Sequence, residues 1–528
     1  MTKRNLMVGL LLVAATIAKS QDTYINDRLT ATDDLHGSAR YVGMGGALGA
    51  LGADLSAISS NPAAIGLYRK SDVGLTFGAV VPNKANGWNK NDDRTYGEGL
   101  AKASFDQLGF VWSLKTGNSK LKYMNFGVNY QKKANYNLGF YADNRNLGGL
   151  SQMDQIAELV DAGYDTDYNL AGMAVDNTFL SKDDQGYYNA YRGQRSNYTR
   201  HQYGSLQGYD INMSFNVNDR FYTGLTVGFD NVNYKSWSEY LELSADKDGN
   251  YGDYSLYNDR DVDGHGVNVK FGFLLRPVAD NPFRIGLAVE TPTWYRMKSS
   301  VLYDLTDEAV NPAVRTNTLE SYLETTVRTP WRVRVSMGST VDKVLAWGAE
   351  YEYANVAKTK MGYPSYDDYD GYHSSFAHTN DQAMNKQTES LLKGQHTVKV
   401  GLEAKPLDAL AIRVGYNFIS KRYEDNPSFD QYNLDSRAMN FQTSTDYMTF
   451  GATNIATFGI GYKYKKFYAD LAYKYRIQSG KFYAFDSSYT DPNGQFAADN
   501  PTLAGASLQP VDVDLNRHQV MMSLGFKF

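Results

Sequence analysis

Few residues in this chain have types and spacings that could do chemistry. Asp259-x-Asp261-x-Asp263-Gly264 opens like a calcium loop, but Lys270 stands where the closing bidentate Glu belongs. A weak surface calcium site and an ordinary polar loop both fit that stretch. Seven His occur without an H-E-x-x-H, and no Cys occurs in 528 residues. Thiolate metal sites, a disulfide framework and an acylated N-terminal Cys are therefore excluded. No G-x-S-x-G elbow is present. Gly43-x-Gly45 has Leu48 where a dinucleotide loop needs its third Gly, and no strand precedes it. A net charge of -5 offers no basic face for nucleic acid. No catalytic, cofactor or metal residue is assigned, and the chain is read as a non-enzyme. Outer-membrane hydrolases, whose residues lie on separate strands, would leave no linear motif to contradict this.

The other charged constellation is Arg332 and Arg334 on one apolar-polar run, with Glu350 and Glu352 on the next. From Val73 to Phe528 the chain reads as about fourteen such runs, an even number as bacterial barrels require. Val73, Leu75, Phe77, Ala79 and Val81 alternate with Gly74, Thr76 and Gly78 in the first run. Val520, Met522, Leu524, Phe526 and Phe528 form the apolar stripe of the last. Lys270, Arg334, Glu350, Lys399 and Arg413 sit opposite those stripes. A base facing lipid at the midplane costs about 2–4 kcal/mol, so these charges must line a lumen. Arg332, Arg334, Glu350, Glu352 and Arg413 are the expected lumen-lining set. They serve there either as structural ion pairs or as ligand contacts.

Short links such as Thr116–Ser119 and Lys405–Asp408 alternate with long ones of roughly twenty to seventy residues. That places short turns in the periplasm, long loops outside, and both chain ends in the periplasm. The 42 Tyr suit the two interfacial girdles, though a carbohydrate-binding surface would also use them. A mean hydropathy of -0.49 is no objection, because only alternate strand residues meet lipid. Lys3 and Arg4 precede an apolar run from Leu6 to Ala18 and a small-x-small tripeptide, Ala18-Lys19-Ser20. That run is too short for the ~20 residues of a spanning helix and reads as a signal peptide over 1–20. The expected domains are this signal peptide, an N-terminal hatch over 21–70, and a transmembrane antiparallel β-barrel over 71–528 with long extracellular loops.

The hatch is the stretch Ser38–Asp72, rich in Gly and Ala and ending in Asn61-Pro62-Ala63. Asn61 and Pro62 suit a tight turn, since Pro fixes its own φ and Asn satisfies backbone groups with its amide. Gly45 and Gly46 permit close packing. This segment, Thr291-Pro292-Thr293-Trp294, the strand count and the terminal Phe528 together resemble the FadL-type outer-membrane transporters. The resemblance covers nearly the whole mature chain in architecture. It implies energy-free passage of hydrophobic compounds such as long-chain fatty acids, gated by the hatch (Asn61, Pro62, Ala63, Gly45, Gly46), with release sideways through the wall. A second Asn-Pro-Ala at 311–313 carries no such context.

The stretch 134–206 is the longest loop. Ser151 would cap a helix whose Met153, Ile156, Ala157 and Val160 share a face, for ligand capture or for the loop's own core. The expected partners are hydrophobic small molecules and outer-membrane lipid, with the chain working as a monomer without cofactors. The alternative is a non-transporting barrel that docks a secretion or surface assembly. It would have a polar, filled lumen, where transport wants an apolar pocket beneath the loops.

Overall fold

The computed structural model describes residues 21–32, 34–82, 102–161, 169–176, 179–182, 186, 188–245, 251–308, 316–342, 344–364, 378–425, 443–485 and 508–528. The signal segment and the second Asn-Pro-Ala fall outside the described residues.

Fourteen antiparallel strands form one sheet in chain order. The first six are β1 (Asp72–Pro82), β2 (Lys102–Lys115), β3 (Leu121–Asn135), β4 (Arg192–Val217), β5 (Phe221–Ala245) and β6 (Tyr254–Leu275). Two interrupted strands follow: β7 (Arg284–Glu290 with Trp294–Asp307) and β8 (Thr316–Arg328 with Arg332–Val341). The rest are β9 (Leu345–Asn355), β10 (Gly394–Leu407), β11 (Leu410–Ile419), β12 (Tyr447–Tyr464), β13 (Phe467–Tyr483) and β14 (Arg517–Lys527). β1 pairs with β14 along its whole length, from Asp72 opposite Lys527 to Pro82 opposite Arg517. No edge is left, and the backbone groups are satisfied within the wall as hydrocarbon demands.

Period-two alternation sets the two faces. Trp112 is 53% exposed while its neighbour Val111 is 0% exposed. Exposed Leu, Val, Phe and Met continue that outer belt around the wall. Among the described residues no helix is long and apolar enough to cross a membrane, so the strands do the crossing. The barrel is an outer-membrane one. At one end the strands join through tight turns. Asn218 and Asp219 both take positive φ, 58° and 55°, which suits the twist of a two-residue hairpin. The start of β1 meets the end of β14 at that same end, where the Ser71 N–H donates to the Phe528 carbonyl at 3.1 Å.

Three expectations need correction. The runs read at 211–217, 221–229 and 267–275 are only the lower parts of β4, β5 and β6, which run to 26, 25 and 22 residues. Part of the supposed loop 134–206 is therefore strand, and the links 246–253 and 308–315 are much shorter than twenty residues. Above the membrane the outer face meets water, so the Leu/Val stripe stops while the hydrogen-bond ladder continues.

Asp259, Asp261 and Asp263 lie on this upper part of β6, not in a loop. Alternate positions on a strand sit about 6.6 Å apart in a line, so the carboxylates do not converge. Lys235 Nζ takes Asp261 at 2.6 Å and Asn233 takes Asp263 at 2.9 Å.

Finally, the first described residues and the last are not on one side. Helix α1 (Gln21–Thr30) packs against helix α5 (Gln382–Leu391) in the long-loop half. From there the chain threads the lumen to reach β1.

The interruptions of β7 and β8 fall at Thr291-Pro292-Thr293 and Thr329-Pro330-Trp331. Pro lacks the N–H a ladder needs, and Thr hydroxyls take over part of the bonding. Val269 N donates to Thr291 Oγ1 at 3.0 Å, and Thr293 N to Thr329 Oγ1 at 2.8 Å.

Candidate functional site in the barrel lumen

The lower lumen holds residues 38–68, seated on wall glycines. Gly338, Gly348, Gly401 and Gly415 face one another in register across β8 to β11. Gly109, Gly74 and Gly525 do so across β2, β1 and β14, and Gly224 faces Gly272 across β5 and β6. The first and last of these let main chain approach main chain, while the side chains of Leu55 and Tyr468 lie over the second. A Cβ on Gly401 would fall onto the Met44 carbonyl, one on Gly348 onto the Ala47 carbonyl, and one on Gly415 onto Gly45 N. On the far side, a Cβ on Gly224 would lie 2.6 Å from Pro62 C, and one on Gly272 2.6 Å from Ala63 N.

Local sequence shapes the segment to fit. Ser38 caps the short helix α2 (Ala39–Gly43), its Oγ accepting from Tyr41 N at 3.0 Å. Gly45 has φ +61°, and a Cβ there would sit 2.7 Å from Tyr416 N; only Gly meets both conditions. Gly46, at φ +81°, turns the chain past Leu35. Asn61 caps the 3-10 turn Pro62–Leu67, its Oδ1 accepting from Ala63 N at 3.1 Å. Its Nδ2 donates to the Gly49 carbonyl at 3.2 Å and to the Phe273 carbonyl of β6 at 3.4 Å. Asn61 therefore ties the segment both to itself and to the wall. Ala63 is fully buried against Tyr222 and Leu274.

Above this seat lies a belt of buried ion pairs. Arg332 Nη1 lies 3.2 Å from Glu352, and Arg334 bridges Glu352 at 2.5 Å and Glu290 at 2.8 Å. Glu350 pairs with Lys399 at 2.7 Å, on the strand beyond the Arg pair. Below the seat, nearer the short turns, Arg413 holds Glu403 at 2.7 Å and Asp470 at 2.6 Å, and Arg40 of the inner segment reaches the same Glu403 at 3.2 Å. All five lumen residues singled out from the sequence face inward, but they form two groups, with Arg413 apart.

Lys270 lies in the lumen as the sequence implies, but several pairings escaped the sequence reading. Lys270 with Asp210, and Lys474 with Asp34, are distant in sequence and meet only through the wall. Asp106 faces inward beside Gln107 because the β1–β2 register shifts there. His36 lies between Asp34, at 2.9 Å, and Asp106, at 3.4 Å. Burial alone would push the Asp34 carboxyl up, but Lys474 and His36 hold it well below the usual carboxylate range.

The upper lumen is aromatic and apolar, and α1 fills it. Tyr24 stacks on Tyr447 at 4.7 Å and on Tyr423 at 5.9 Å. Leu29 packs with Tyr136, Tyr234, Tyr295, Met297 and Met361. Polar contacts also hold the helix: Asp27 takes Arg422 at 2.9 Å and Tyr423 at 2.8 Å, Thr23 donates to Gln387 at 3.0 Å, and the Leu29 carbonyl accepts from the Tyr136 hydroxyl at 2.6 Å. Over it sits a cap containing helix α3 (Gln152–Asp161). Ser151 begins this helix as expected, its Oγ accepting from Met153 N at 3.1 Å. Met153, Ile156 and Ala157 are buried in the cap's own core with Phe140, Leu150 and Phe482, and Val160 packs at its edge.

Two cavities of the lumen carry charged residues in their linings. A cavity of about 310 Å³ between segment and wall is lined by Arg40, Asp54, Tyr68, Glu403, Tyr468 and Asp470 among others. A smaller one of about 100 Å³, by the ion belt, touches Asp34, His36, Lys270, Glu290, Arg334 and Lys399.

No family model matches the chain, and no curated protein matches it. Among solved structures it is similar to a Pseudomonas aeruginosa FadL homologue, at 14% identity and a TM-score of 0.52, over 94% of this chain and 99% of that one. The P. putida toluene transporter TodX aligns at 12% identity and a TM-score of 0.46, over 94% of this chain and 99% of that one. CymD, a monoaromatic hydrocarbon channel, aligns at 11% identity and a TM-score of 0.47, over 93% and 97%. With its wall closed by β1 and β14 and its likeness to the P. aeruginosa protein, the chain has the fold of a FadL-type outer-membrane barrel.

Proposed function

We propose that this barrel is a passive route for hydrophobic compounds across the outer membrane, and that the arrangement described is its closed state. The observation that carries the reading is the upper lumen. Tyr24 and Leu29 of α1 occupy an aromatic and Met-lined space that lies beneath the cap and above the ion belt. If α1 withdrew, an apolar chamber of the kind a hydrophobic solute needs would open. The capture role of α3 is then to belong to a cap core that must part, with Met153 and Ile156 contributing to its apolar interior. The segment below acts as the hatch, held by Asn61, Pro62, Ala63, Gly45 and Gly46. A fatty-acid-like solute is the substrate class that the family resemblance suggests.

One observation favours the docking alternative: both cavities are lined in part by charged residues, and α1 occupies the aromatic space above them. A single experiment separates the two. Uptake of a fluorescent long-chain fatty acid is compared in cells with the wild-type barrel, a Tyr24→Ala/Leu29→Ala variant, and no barrel. Transport predicts uptake above the barrel-free cells, raised severalfold in the variant, with heat modifiability of the barrel unchanged. Uptake equal to barrel-free cells in both, with the barrel folded, would overturn transport and leave docking.

A further inference from the structure

On the lipid-facing side of β1, β12, β13 and β14, at the short-turn end, the wall is hollowed. Ala469 is the small outward residue there, placed opposite Tyr462 on one side and Leu524 on the other. Val73, Leu75, Tyr462, Phe467, Leu524 and Phe526 stand around it, and Gly74 and Gly525 thin the floor. The result is an apolar groove of about 460 Å³. Most of the outer belt is bristling with Leu, Phe and Trp, so a concavity of this size is a local departure from it.

The groove ends at a basic turn. Lys463, Lys465 and Lys466 are exposed on the β12–β13 hairpin. No carboxylate lies within 4.0 Å of any of the three among the described residues. Their neighbours differ: Lys405 lies 3.6 Å from Glu403, and Lys527 lies 3.5 Å from Asp72. Asp408, on the adjacent turn, is the nearby acid that faces solvent. Lys466 Nζ sits 5.8 Å from the Phe526 ring, so the charge stands directly over the groove wall. Lys465, at φ +55°, lies with its Nζ 5.2 Å from the Tyr464 ring. Lysines carry long apolar stems and keep their charge at the membrane surface, where an anionic headgroup would meet it.

We propose that this groove and its lysines form a site for one anionic phospholipid of the periplasmic leaflet, an acyl chain in the groove and the headgroup on Lys465 and Lys466; Lys463, between the outward Tyr462 and Tyr464, lines the lumen side instead. The charge and the apolar channel match the two halves of that molecule, and the short-turn end is the end that faces that leaflet. Each lysine near an anionic lipid surface adds attraction of a few-fold, so together they should favour an anionic over a zwitterionic headgroup by roughly tenfold or more.

The test uses the full barrel, delipidated in detergent and then offered dioleoyl-phosphatidylglycerol or dioleoyl-phosphatidylcholine, with retained lipid read by native mass spectrometry. The wild type should keep one phosphatidylglycerol in preference to phosphatidylcholine. A Lys465→Gln/Lys466→Gln variant, altered only on an exposed turn, should lose the preference. Lys120→Gln, on another turn of the same rim, should keep it. Ala469→Trp, checked for heat modifiability, should retain neither lipid. Equal retention of the two lipids by the wild type would overturn the site, as would an unchanged preference in the double lysine variant. So would displacement of the lipid by an equal concentration of inorganic phosphate, which would mean ionic capture without the groove.

Discussion

The lower and upper halves of the lumen are closed by different physics. Below, main chain lies on main chain along two glycine rows, with buried ion pairs such as Arg334–Glu352 and Lys399–Glu350 beside them. Above, aromatic and aliphatic side chains of α1 and the cap fill a space whose lining they resemble. A backbone contact has no rotamers with which to adapt, and a buried charge network tolerates no missing partner. Apolar side chains can be exchanged for another apolar body of similar volume at modest cost. The comparison teaches where a solute could be admitted without dismantling the barrel, and it is the upper half.

The sharpest way to break this contrast is to put a side chain into a glycine row. Gly415→Val would drive a Cβ onto Gly45 N. Overpacking costs about 1–3 kcal/mol where side chains can move, and more where backbone must. We expect either loss of heat-modifiable barrel or, in the folded fraction, raised single-channel conductance in planar bilayers. Wild-type conductance from a folded variant would mean that the segment does not close the lower lumen.

A comparable effect is expected in the ion belt. Arg334→Met leaves Glu290 and Glu352 without their shared partner, and orphaning a buried pair costs about 3–5 kcal/mol. The midpoint of denaturant unfolding in detergent should fall accordingly. A fall no larger than that of an exposed pair, such as one caused by Lys358→Met, would show the belt to be wet and weakly held.

The smallest effect sharpens the boundary between the halves. Asp34 anchors the strand of chain between α1 and α2 to Lys474. Its carboxyl is depressed in the folded barrel. The stabilisation it gives is therefore complete above the ordinary carboxylate pKa near 4 and is lost as pH falls further, through the folded value. Proteolysis of this linker by an acid-active protease should increase below about pH 4. Asp34→Asn should be cleaved readily even well above that pH and show little further change on acidification. A flat wild-type profile would sever the link between Asp34 and linker anchoring.

Much of the wall was legible in the sequence. Val73 to Val81 and Val520 to Phe528 were read as first and last strands that must meet, and they pair residue for residue. Arg332 and Arg334 were placed near Glu352 because one short turn joins their strands, and that pairing holds. Glu350 went instead to Lys399, since each strand has two neighbours and only one was close in sequence. The upper reaches of β4 to β6 were missed because their outward residues are polar, so no apolar stripe marked them. The position of α1 was missed because residues 22–37 carry no clear period; Tyr24 and Leu29 are ordinary until the lumen that receives them is built.

The sequence by itself determined which face each wall residue takes, how many strands there are, and which end carries the short turns. Those properties follow from a side-chain period of two and from turn chemistry, both local. Only the tertiary structure decided that Gly338, Gly348, Gly401 and Gly415 stand in one row with Met44 to Leu51 against them. Which glycines align depends on the stagger of each strand against the next, summed around a closed sheet, and no stretch of chain encodes that sum alone.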